Sequence, residues 1–164
     1  MQIRTIKQSE HTLIRELRLA ALQDAPDSFA ESAQDVSLLP ESYRIELARS
    51  LTSKHVMFIA ELDGNECGSV YGIRDENDPY GARVGGMWVA TTCRRRGIGT
   101  ALLAAVIEWS KTEGLSTVRL WVPASGNHAQ SLYSNNGFAL TGETKSACHD
   151  GPFEIREMML DLAS

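Results

Sequence analysis

The sequence predicts a single α/β domain over residues 1–164, with a mixed β-sheet of about six to seven strands and about four flanking helices. Two observations carry this prediction. The length of 164 residues is typical of one domain with a core large enough to fold unaided. Segments with apolar residues at helical spacing take turns with segments that alternate apolar and polar residues, in the order β-α-α-β-β-β-α-β-α-β-β.

The first part of the chain is predicted to contain one strand and two helices. The strand occupies residues 2–6, and Ser9 is placed to cap a helix that runs to about Leu22. Residues 24–39 are polar and acidic, which indicates a loop. Pro40 suits the first turn of the next helix, because proline lacks an amide hydrogen that this turn would leave unused.

Three strands follow, and the first two are joined by a tight turn. Residues 55–62 and 67–74 are predicted strands, and Asp63-Gly64-Asn65 between them is a turn sequence. After an acidic loop at 75–81, residues 82–90 form the third strand. Its Gly85-Gly86 pair weakens regular strand geometry and indicates a bulge or a close backbone approach.

The last part of the chain contains the clearest helix and ends in two antiparallel strands. Residues 97–111 carry an apolar stripe at helical spacing, and Gly114 ends this helix. A strand at 116–122 stops before Pro123. A short helix at 127–136 is closed by Gly137, and residues 138–141 and 153–162 are predicted to pair.

Composition and charge exclude several classes of function. The chain has 21 acidic and 16 basic residues, and the resulting charge of -5 argues against a nucleic-acid partner. It has no apolar run of about 18 residues and no secretory leader at its start, so no membrane association is expected. Its cysteines form no CxxC pair and its histidines lack ligand spacing, which predicts a reduced cytoplasmic protein without a metal site.

A segment rich in arginine and glycine, between a predicted strand and the long helix, has the properties of an anion site. The first amides of a helix lack intrahelical partners, and the helix dipole adds positive charge there. Gly97 and Gly99 leave the backbone open, three arginines precede them, and Thr100 offers a hydroxyl. A solvated basic turn would have the same composition. The Walker and Rossmann nucleotide patterns are disfavoured, because the segment lacks the lysine of the first and the third glycine of the second.

Two short motifs carry a resemblance to a known family. After the strand residues Met87-Trp88-Val89, the segment Arg94-x-x-Gly97-x-Gly99 matches the motif Gln/Arg-x-x-Gly-x-Gly/Ala. Further on, the segment Ala129-x-x-Leu132-Tyr133-x-x-x-Gly137-Phe138 is similar to the element N-x-x-A-x-x-L-Y-x-x-x-G-F, with Asn127 one position away from the asparagine. Both motifs, and the order of elements over nearly the whole chain, resemble the GCN5-related N-acetyltransferase (GNAT) family.

The resemblance implies acetyl-CoA as cosubstrate, held in a V-shaped gap between two central parallel strands that splay apart. These strands would be residues 82–90 and 116–122. The pantetheine would bind along Met87, Trp88 and Val89, as an added peptide strand would. The pyrophosphate would lie at the start of the long helix, and the implied cofactor-binding residues there are Arg94, Arg95, Arg96, Gly97, Ile98, Gly99 and Thr100, with Asn127 on the following helix.

Tyr133 is the catalytic residue that the resemblance implies. Its hydroxyl, with a reference pKa of about 10, would act as general acid toward the departing thiolate. The substrate amine would attack acetyl-CoA directly, without a covalent enzyme intermediate. The general base stays open between Glu61, His128 and a chain of waters, because neither splayed strand carries an acidic residue.

The expected acceptor is a primary amine of a small molecule, a polyamine, a peptide or a protein. In the family the acceptor pocket involves segments that correspond here to residues 24–39, 75–81 and 145–152. Acidic residues of the first two segments would attract a cationic amine, and they are Asp24, Asp27, Glu31, Asp35, Asp75, Glu76 and Asp78. Ordinary solvated loops have the same composition.

Two other functions stand as alternatives. A non-catalytic acyl-CoA-binding or regulatory module would keep the fold without the chemistry, and the lack of a strand glutamate favours it slightly. A nucleotide-binding protein would use the arginine-glycine segment for ATP. Family members often dimerise through their C-terminal strands, and the apolar run Met158-Met159-Leu160 would suit a homodimer.

Overall fold

The computed structural model describes residues 1–29, 32–53, 55–148 and 152–163. Its strands are β1 (Gln2–Thr5), β2 (Val56–Leu62), β3 (Asn65–Arg74), β4 (Gly81–Val89), β5 (Thr117–Pro123), β6 (Ala139–Cys148) and β7 (Pro152–Asp161). Its α-helices are α1 (His11–Asp24), α2 (Ala33–Leu38), α3 (Glu41–Ser53), α4 (Ile98–Thr112) and α5 (Asn127–Asn135).

The strands described above form one seven-stranded sheet in the order β1-β2-β3-β4-β5-β7-β6. Neighbouring strands are antiparallel except β4 and β5, which run parallel at the centre of the sheet. A parallel pair needs a crossover connection, and α4 provides it. The predicted mixed sheet is confirmed.

Helices cover both faces of the sheet, and each face has its own core. On one face, α4 and α5 pack on the strands through the stripe that the sequence predicts. This cluster includes Ile98, Leu102, Val106, Val118, Val122 and Tyr133. On the other face, α1 and α3 pack on the strands through a second cluster, which includes Ile14, Leu17, Ala48, Met57, Ile59 and Trp88. We call these the α4 face and the α1 face.

The turn between β2 and β3 has the predicted geometry. Leu62 pairs with Asn65 across it, and the central residues Asp63 and Gly64 have φ of 54° and 80°. Positive φ at both central positions matches the right-handed twist of a hairpin, and the Asp-Gly sequence favours it. None of the helices in the described part of the chain combines the length and the apolar character needed to cross a bilayer.

Two elements differ from the sequence prediction. The segment 24–39, predicted as a loop, contains α2, which is six residues long and capped by the Ser32 hydroxyl bonding the Asp35 amide at 3.0 Å. A helix this short shows no clear apolar period. β6 is longer than the predicted 138–141 and continues to Cys148 past an irregular register between Leu140 and Thr144. It lies at the edge of the sheet, where polar residues are tolerated on a strand.

Candidate active site

The two central parallel strands separate after a short stretch of pairing. In the described residues they pair at three positions, which are Gly81 with Thr117, Ala82 with Val118 and Arg83 with Arg119. Beyond these pairs β4 runs on to Val89 and β5 to Pro123. The backbone groups on the facing sides of the two strands then lack each other as partners. The resulting gap is suited to a ligand that bonds to a strand edge as a peptide does.

Gly86 shapes the β4 wall of this gap. The register between β3 and β4 shifts between the pairs Ser69–Trp88 and Tyr71–Gly85, so β4 bulges here. Gly86 has φ +58°, and a Cβ added to it would lie 2.5 Å from Cε2 of Tyr71. A side chain at this position would require Tyr71 to move, and the bulge predicted at the glycine pair is confirmed.

The start of α4 lies just beyond the end of β4. The backbone reaches it through Arg95, with φ 61°, and Gly97, with φ 77°, both in the left-handed region. Gly97 precedes the first helical turn and has no side chain to bond the amides that this turn leaves without partners. Arg95 and Arg96 are exposed beside it. The turn therefore offers amides, the helix dipole and two cations to an anion.

Three residues of the predicted motif form the first turn of α4. Ile98 is buried in the core of the α4 face. A Cβ on Gly99 would lie 3.2 Å from Cδ2 of Leu132, so this glycine lets α5 pack closely against α4. Thr100 is exposed. Thr100 thus adds a polar side chain to the turn, whereas Ile98 and Gly99 contribute backbone amides.

The Arg94 side chain ties this turn to the rest of the protein. Its Nε donates to the Val89 carbonyl at 2.9 Å, and its Nη2 donates to Asp24 at 2.6 Å. Asp24 is the last residue of α1, and it also accepts from Nε1 of Trp88 at 3.0 Å and from the Thr91 hydroxyl at 2.6 Å. One carboxylate therefore joins the end of α1 to the end of β4 and to the loop before α4.

These contacts favour the ionised form of Asp24. The Thr91 hydrogen bond is the largest cause that lowers the pKa of this carboxyl, the Trp88 indole and Arg94 add to it, and burial acts in the opposite direction. The sequence pattern placed Asp24 among acids near the acceptor and Arg94 at the phosphates. In the structure both side chains are engaged with protein groups, and Arg94 orients the turn.

Met87, Trp88 and Val89 alternate between the two faces of the sheet. Trp88 is buried in the core of the α1 face, whereas Met87 and Val89 pack against the core of the α4 face. The groups that all three residues offer to the gap are therefore their backbone N–H and C=O groups. Asn127 is the first residue of α5 and is exposed, and its carbonyl accepts from the Ser131 hydroxyl at 2.9 Å.

Tyr133 is buried in the α4 face, with 7% of its surface exposed. Its ring centroid lies 6.0 Å from that of Phe138, in the cluster that also holds Ile98 of α4 and Val122 of β5. Burial raises the pKa of Tyr133 to about 12. The phenol therefore carries its proton at neutral pH, as a general acid must.

Comparison with known families identifies the fold. The family model described as the acetyltransferase (GNAT) family matches residues 17–138, which is more than half of the chain. The chain belongs to the GNAT acetyltransferase family. The matched range includes the turn before α4 and Tyr133. A comparison with curated proteins finds no match.

Solved structures similar to this GNAT chain cover nearly all of it. A putative acetyltransferase from Salmonella typhimurium, solved with acetyl-CoA, has a TM-score of 0.81 at 16% identity, covering 99% of this chain and 94% of that one. A ribosomal-protein-alanine N-acetyltransferase from Brucella melitensis has a TM-score of 0.80 at 19% identity, covering 99% and 100%. A GNAT acetyltransferase from Streptococcus pneumoniae has a TM-score of 0.81 at 20% identity, covering 98% and 99%. These likenesses show that the GNAT fold extends beyond the matched range.

A buried carboxylate, which sequence reasoning missed, lies where the gap of this GNAT chain opens. Glu157 of β7 is 7% exposed and pairs in register with Trp121 of β5. It accepts from Nη1 of Arg83 at 3.4 Å and from the Thr141 hydroxyl at 3.1 Å. Arg83 is the last β4 residue paired with β5, so Glu157 reaches the point of separation. Its signal in the sequence is a charge on the otherwise apolar alternation Phe153, Ile155, Met159.

The two residues that the sequence suggested as bases have different surroundings. Glu61 of β2 bonds Nε of Arg4 at 2.6 Å, and β3 separates it from β4. His128 is exposed on the first turn of α5. The sheet order therefore keeps Glu61 away from the opening of the gap.

Three acids of the expected acceptor segments form ion pairs with arginines. The pairs are Asp24 with Arg94 at 2.6 Å, Asp75 with Arg83 at 2.9 Å and Asp78 with Arg119 at 3.2 Å. These carboxylates are compensated within the protein and add little to an attraction for a cationic amine. Glu31 and residues 149–151 lie outside the described residues. Within the described ranges, no group of three or more His, Cys, Asp or Glu side chains is arranged to hold a metal ion.

Proposed function

We propose that this GNAT protein is an N-acetyltransferase that moves the acetyl group of acetyl-CoA directly to a primary amine of a small molecule, a polyamine or a peptide. One observation carries the proposal. The gap between β4 and β5 leads to the open start of α4, and Tyr133 is buried in the cluster that also holds Ile98 of that helix and Val122 of β5. We assign the whole reaction to one domain over residues 1–164.

Each part of acetyl-CoA meets a matching group along this path. The pyrophosphate suits the amides of Gly97 to Thr100 and the exposed Arg95 and Arg96. The pantetheine amides suit the free edge of β4 at Met87 to Val89. The β4 bulge turns backbone N–H groups away from the regular ladder, and such donors stabilise a developing oxyanion.

The reaction forms a C–N bond and breaks a C–S bond. The neutral amine attacks the thioester carbonyl, and the tetrahedral intermediate expels the thiolate of CoA. The amine nitrogen loses one proton and the thiolate gains one, so the products are the amide and CoA thiol. The protein has to assist both proton movements.

Tyr133 assists the departure of the thiolate. Its pKa of about 12 lies above that of an ordinary thiol, about 8.5, so complete proton transfer to a solvated thiolate would be uphill. Burial would also raise the pKa of the CoA thiol at this place, which narrows the difference between the pKa values of the phenol and the thiol. Tyr133 therefore acts mainly by donating a hydrogen bond while negative charge develops on sulfur.

Glu157 is suited to receive the proton of the amine. A lysine-like amine has a pKa of about 10.4 and must lose a proton before it attacks. Arg83 and Thr141 hold the Glu157 carboxylate at the opening of the gap, where a substrate amine would reach it directly or through one water. This assignment supplies the base that the two splayed strands lack.

Binding of acetyl-CoA is tested first, by thermal melting with acetyl-CoA, CoA and ATP. A ligand at 100 times its Kd adds about 2.7 kcal/mol to the free energy of unfolding, which raises Tm by about 5–10 °C for a chain of this size. We expect a shift with acetyl-CoA and CoA and none with ATP. No shift at millimolar acetyl-CoA would overturn the proposal.

Catalysis is tested by the release of CoA thiol with a panel of primary amines. We expect release that depends on the amine, and its loss in Glu157→Gln with acetyl-CoA binding retained. Thr144→Val on β6 is a surface control that should leave the rate unchanged. Binding without release for any amine would instead support a non-catalytic acyl-CoA-binding module.

A further inference from the structure

A cavity of about 320 Å³ lies on the α1 face, between α1, α2, α3 and the strand β3. This size is at the lower end of pockets that bind small molecules. Apolar side chains form much of its wall, including Ile14 of α1, Val36 of α2 and Leu47 of α3. The cavity is therefore suited to a compact molecule with an apolar body.

The charged lining of the cavity has one sign. In the described part of the chain, the basic side chains on its wall are His11, Arg15, Arg18, Arg44 and His55, and no carboxylate lines it. The chain as a whole has a net charge of -5, so this concentration of basic groups is not the general character of the surface. The cavity favours an anion.

Two of these basic groups have buried nitrogen atoms without a hydrogen-bond partner, Nδ1 of His11 and Nε of Arg15. They lie four residues apart on α1, so both face the same side of the helix. A buried polar atom without a partner costs free energy, and such atoms in native proteins call for an explanation. A ligand oxygen would accept from Nε of Arg15, and from Nδ1 of His11 in the form of the imidazole that carries a proton on this nitrogen. A carboxylate offers two such oxygens.

The cavity borders β3, which is the neighbour in the sheet of β4, the strand that would hold the thioester. Tyr71 and Ile73 of β3 line it, and Tyr71 is the residue whose ring an added Cβ on Gly86 would meet. Ile73 pairs in register with Arg83, which contacts Glu157. The cavity is on the α1 face, whereas α4 and Tyr133 are on the opposite face, so its occupant would not compete with binding at the start of α4.

We propose that this cavity is the acceptor pocket and that the acceptor amine also carries a carboxylate, which binds at Arg15 and His11. The inference rests on the proposed acetyl transfer and narrows its substrate to amino acids and related amines with an apolar body. It replaces the expectation of a polycationic acceptor, because the cavity wall is basic and three acids of the expected acceptor segments are paired with arginines.

The test compares amines that differ only in the carboxylate. The pairs are phenylalanine with phenethylamine, leucine with isopentylamine, and ε-aminocaproate with pentylamine, which places the carboxylate at two distances from the amine. Spermidine is included as a polycation. Release of CoA thiol gives kcat/KM for each amine. We expect at least one carboxylated member to exceed its partner by about tenfold or more, as one charged hydrogen-bonded contact provides.

Two variants locate the carboxylate. In Arg15→Gln the kcat/KM ratio of the carboxylated amine to its partner should fall by about tenfold, while the Tm shift with acetyl-CoA stays unchanged. Arg44→Gln, on the facing helix, is a second lining variant in case the first one fails to fold. Arg49→Gln is the matched control, because Arg49 lies on the same helix α3, pairs with Glu46 and does not line the cavity.

Binding is measured separately from turnover, by following the His11 imidazole signal in NMR as phenylalanine or phenethylamine is added. The His11→Gln variant assigns this signal. A shift with phenylalanine that Arg15→Gln abolishes supports the inference. Equal kcat/KM within every pair, a preference for spermidine, or an Arg15→Gln variant with unchanged preference would overturn it. If the wild-type protein releases no CoA thiol with any amine and acetyl-CoA does not raise its Tm, the proposed function itself is overturned.

Discussion

The two faces of the sheet carry different parts of the candidate site, and they are built in different ways. On the α4 face, the groups proposed for acetyl-CoA come from one stretch of chain, the end of β4, the turn at Arg94 to Gly97 and the start of α4. On the α1 face, the cavity is lined by residues from His11 to Ile73, most of which belong to the helices α1, α2 and α3 and to the strand β3. Asp24 connects the faces through Trp88 and Arg94.

The difference shows how each half of the site depends on the fold. A turn that leads into a helix is shaped by its own glycines and by the free amides of that helix, so much of its geometry is local. A cavity between helices exists only after those helices have packed on a sheet. Changes at the start of α4 and at Tyr133 should therefore affect acetyl-CoA binding and thiolate departure directly, and changes in the cavity of the α1 face should affect the choice of acceptor.

The largest effect is expected from Tyr133→Phe. Removing the hydroxyl should lower kcat by about a hundredfold or more, because a fixed hydrogen-bond donor to charge that develops in the transition state contributes about 10²–10³. The KM for acetyl-CoA should stay the same, since the ring still packs near Phe138. Steady-state kinetics on the wild type and the variant measure this. Tyr80→Phe, with a tyrosine 65% exposed, is the control, and an unchanged kcat in Tyr133→Phe would remove the α4 face from the chemistry.

The next effect is expected from Gly86→Ala, which acts on the bulge between the two faces. The positive φ and the contact with Tyr71 together should lower the free energy of unfolding by roughly 2–4 kcal/mol. Gly64 also has a positive φ, but no described atom lies within 4 Å of a Cβ added there. Gly64→Ala should therefore lower the free energy of unfolding by only about 1–2 kcal/mol. Urea unfolding measures both. Equal losses would show that Tyr71 gives way and that the bulge tolerates a side chain.

A smaller effect is expected from Asp24→Asn, which weakens the link between the faces. The Thr91 hydroxyl, the Trp88 indole and Arg94 keep the pKa of Asp24 below its ordinary value. The ionised carboxylate therefore stabilises the folded state above about pH 4, and this stabilisation is lost as the pH falls through the lower pKa of the folded protein. The variant should lose about 1–2 kcal/mol at neutral pH. Its KM for acetyl-CoA should rise by several-fold, because Arg94 no longer holds the turn.

Unfolding measured at neutral and acid pH tests the sign of this effect. The difference between wild type and Asp24→Asn should shrink as pH falls, since protonated Asp24 resembles the amide. Asp27→Asn, which changes a neighbouring exposed acid, is the control. If the difference in the free energy of unfolding grows at acid pH, the ionised carboxylate of Asp24 does not hold Trp88, Thr91 and Arg94 together as described.

The smallest effects are expected from Arg95→Gln and Arg96→Gln. Both side chains are exposed, and exposed charges contribute modestly and are screened by salt. Each variant should raise the KM for acetyl-CoA by about twofold to fivefold at low salt, with less effect at high salt and no change in the preference for a carboxylated acceptor. A change in acceptor preference would show that the two faces are not separate in function.

The sequence by itself determined the order of strands and helices along the chain, and the resemblance that its two motifs carry implied the family and the parallel pair at the sheet centre. Local rules were enough for the Asp63-Gly64 hairpin, the bulge at Gly86 and the glycine turn before α4, because each depends on the conformations that a few adjacent residues allow. The exceptions were α2, which is too short to show a period, and β6, whose polar residues suit an edge strand. The prediction that Ser9 caps α1 is also wrong, because Ser9 lies in a 3-10 turn and Glu10 is the residue before the helix.

The tertiary structure alone decided which distant side chains meet. Glu157 comes to the gap because the register of β7 places it opposite Trp121, and a shift of one residue would turn it to the other face. Asp24 and Arg94 form a pair across 70 positions of sequence. The basic cavity arises only where α1, α2 and α3 pack on β3. Such contacts depend on packing and register over the whole sheet, and no local pattern of residues specifies them.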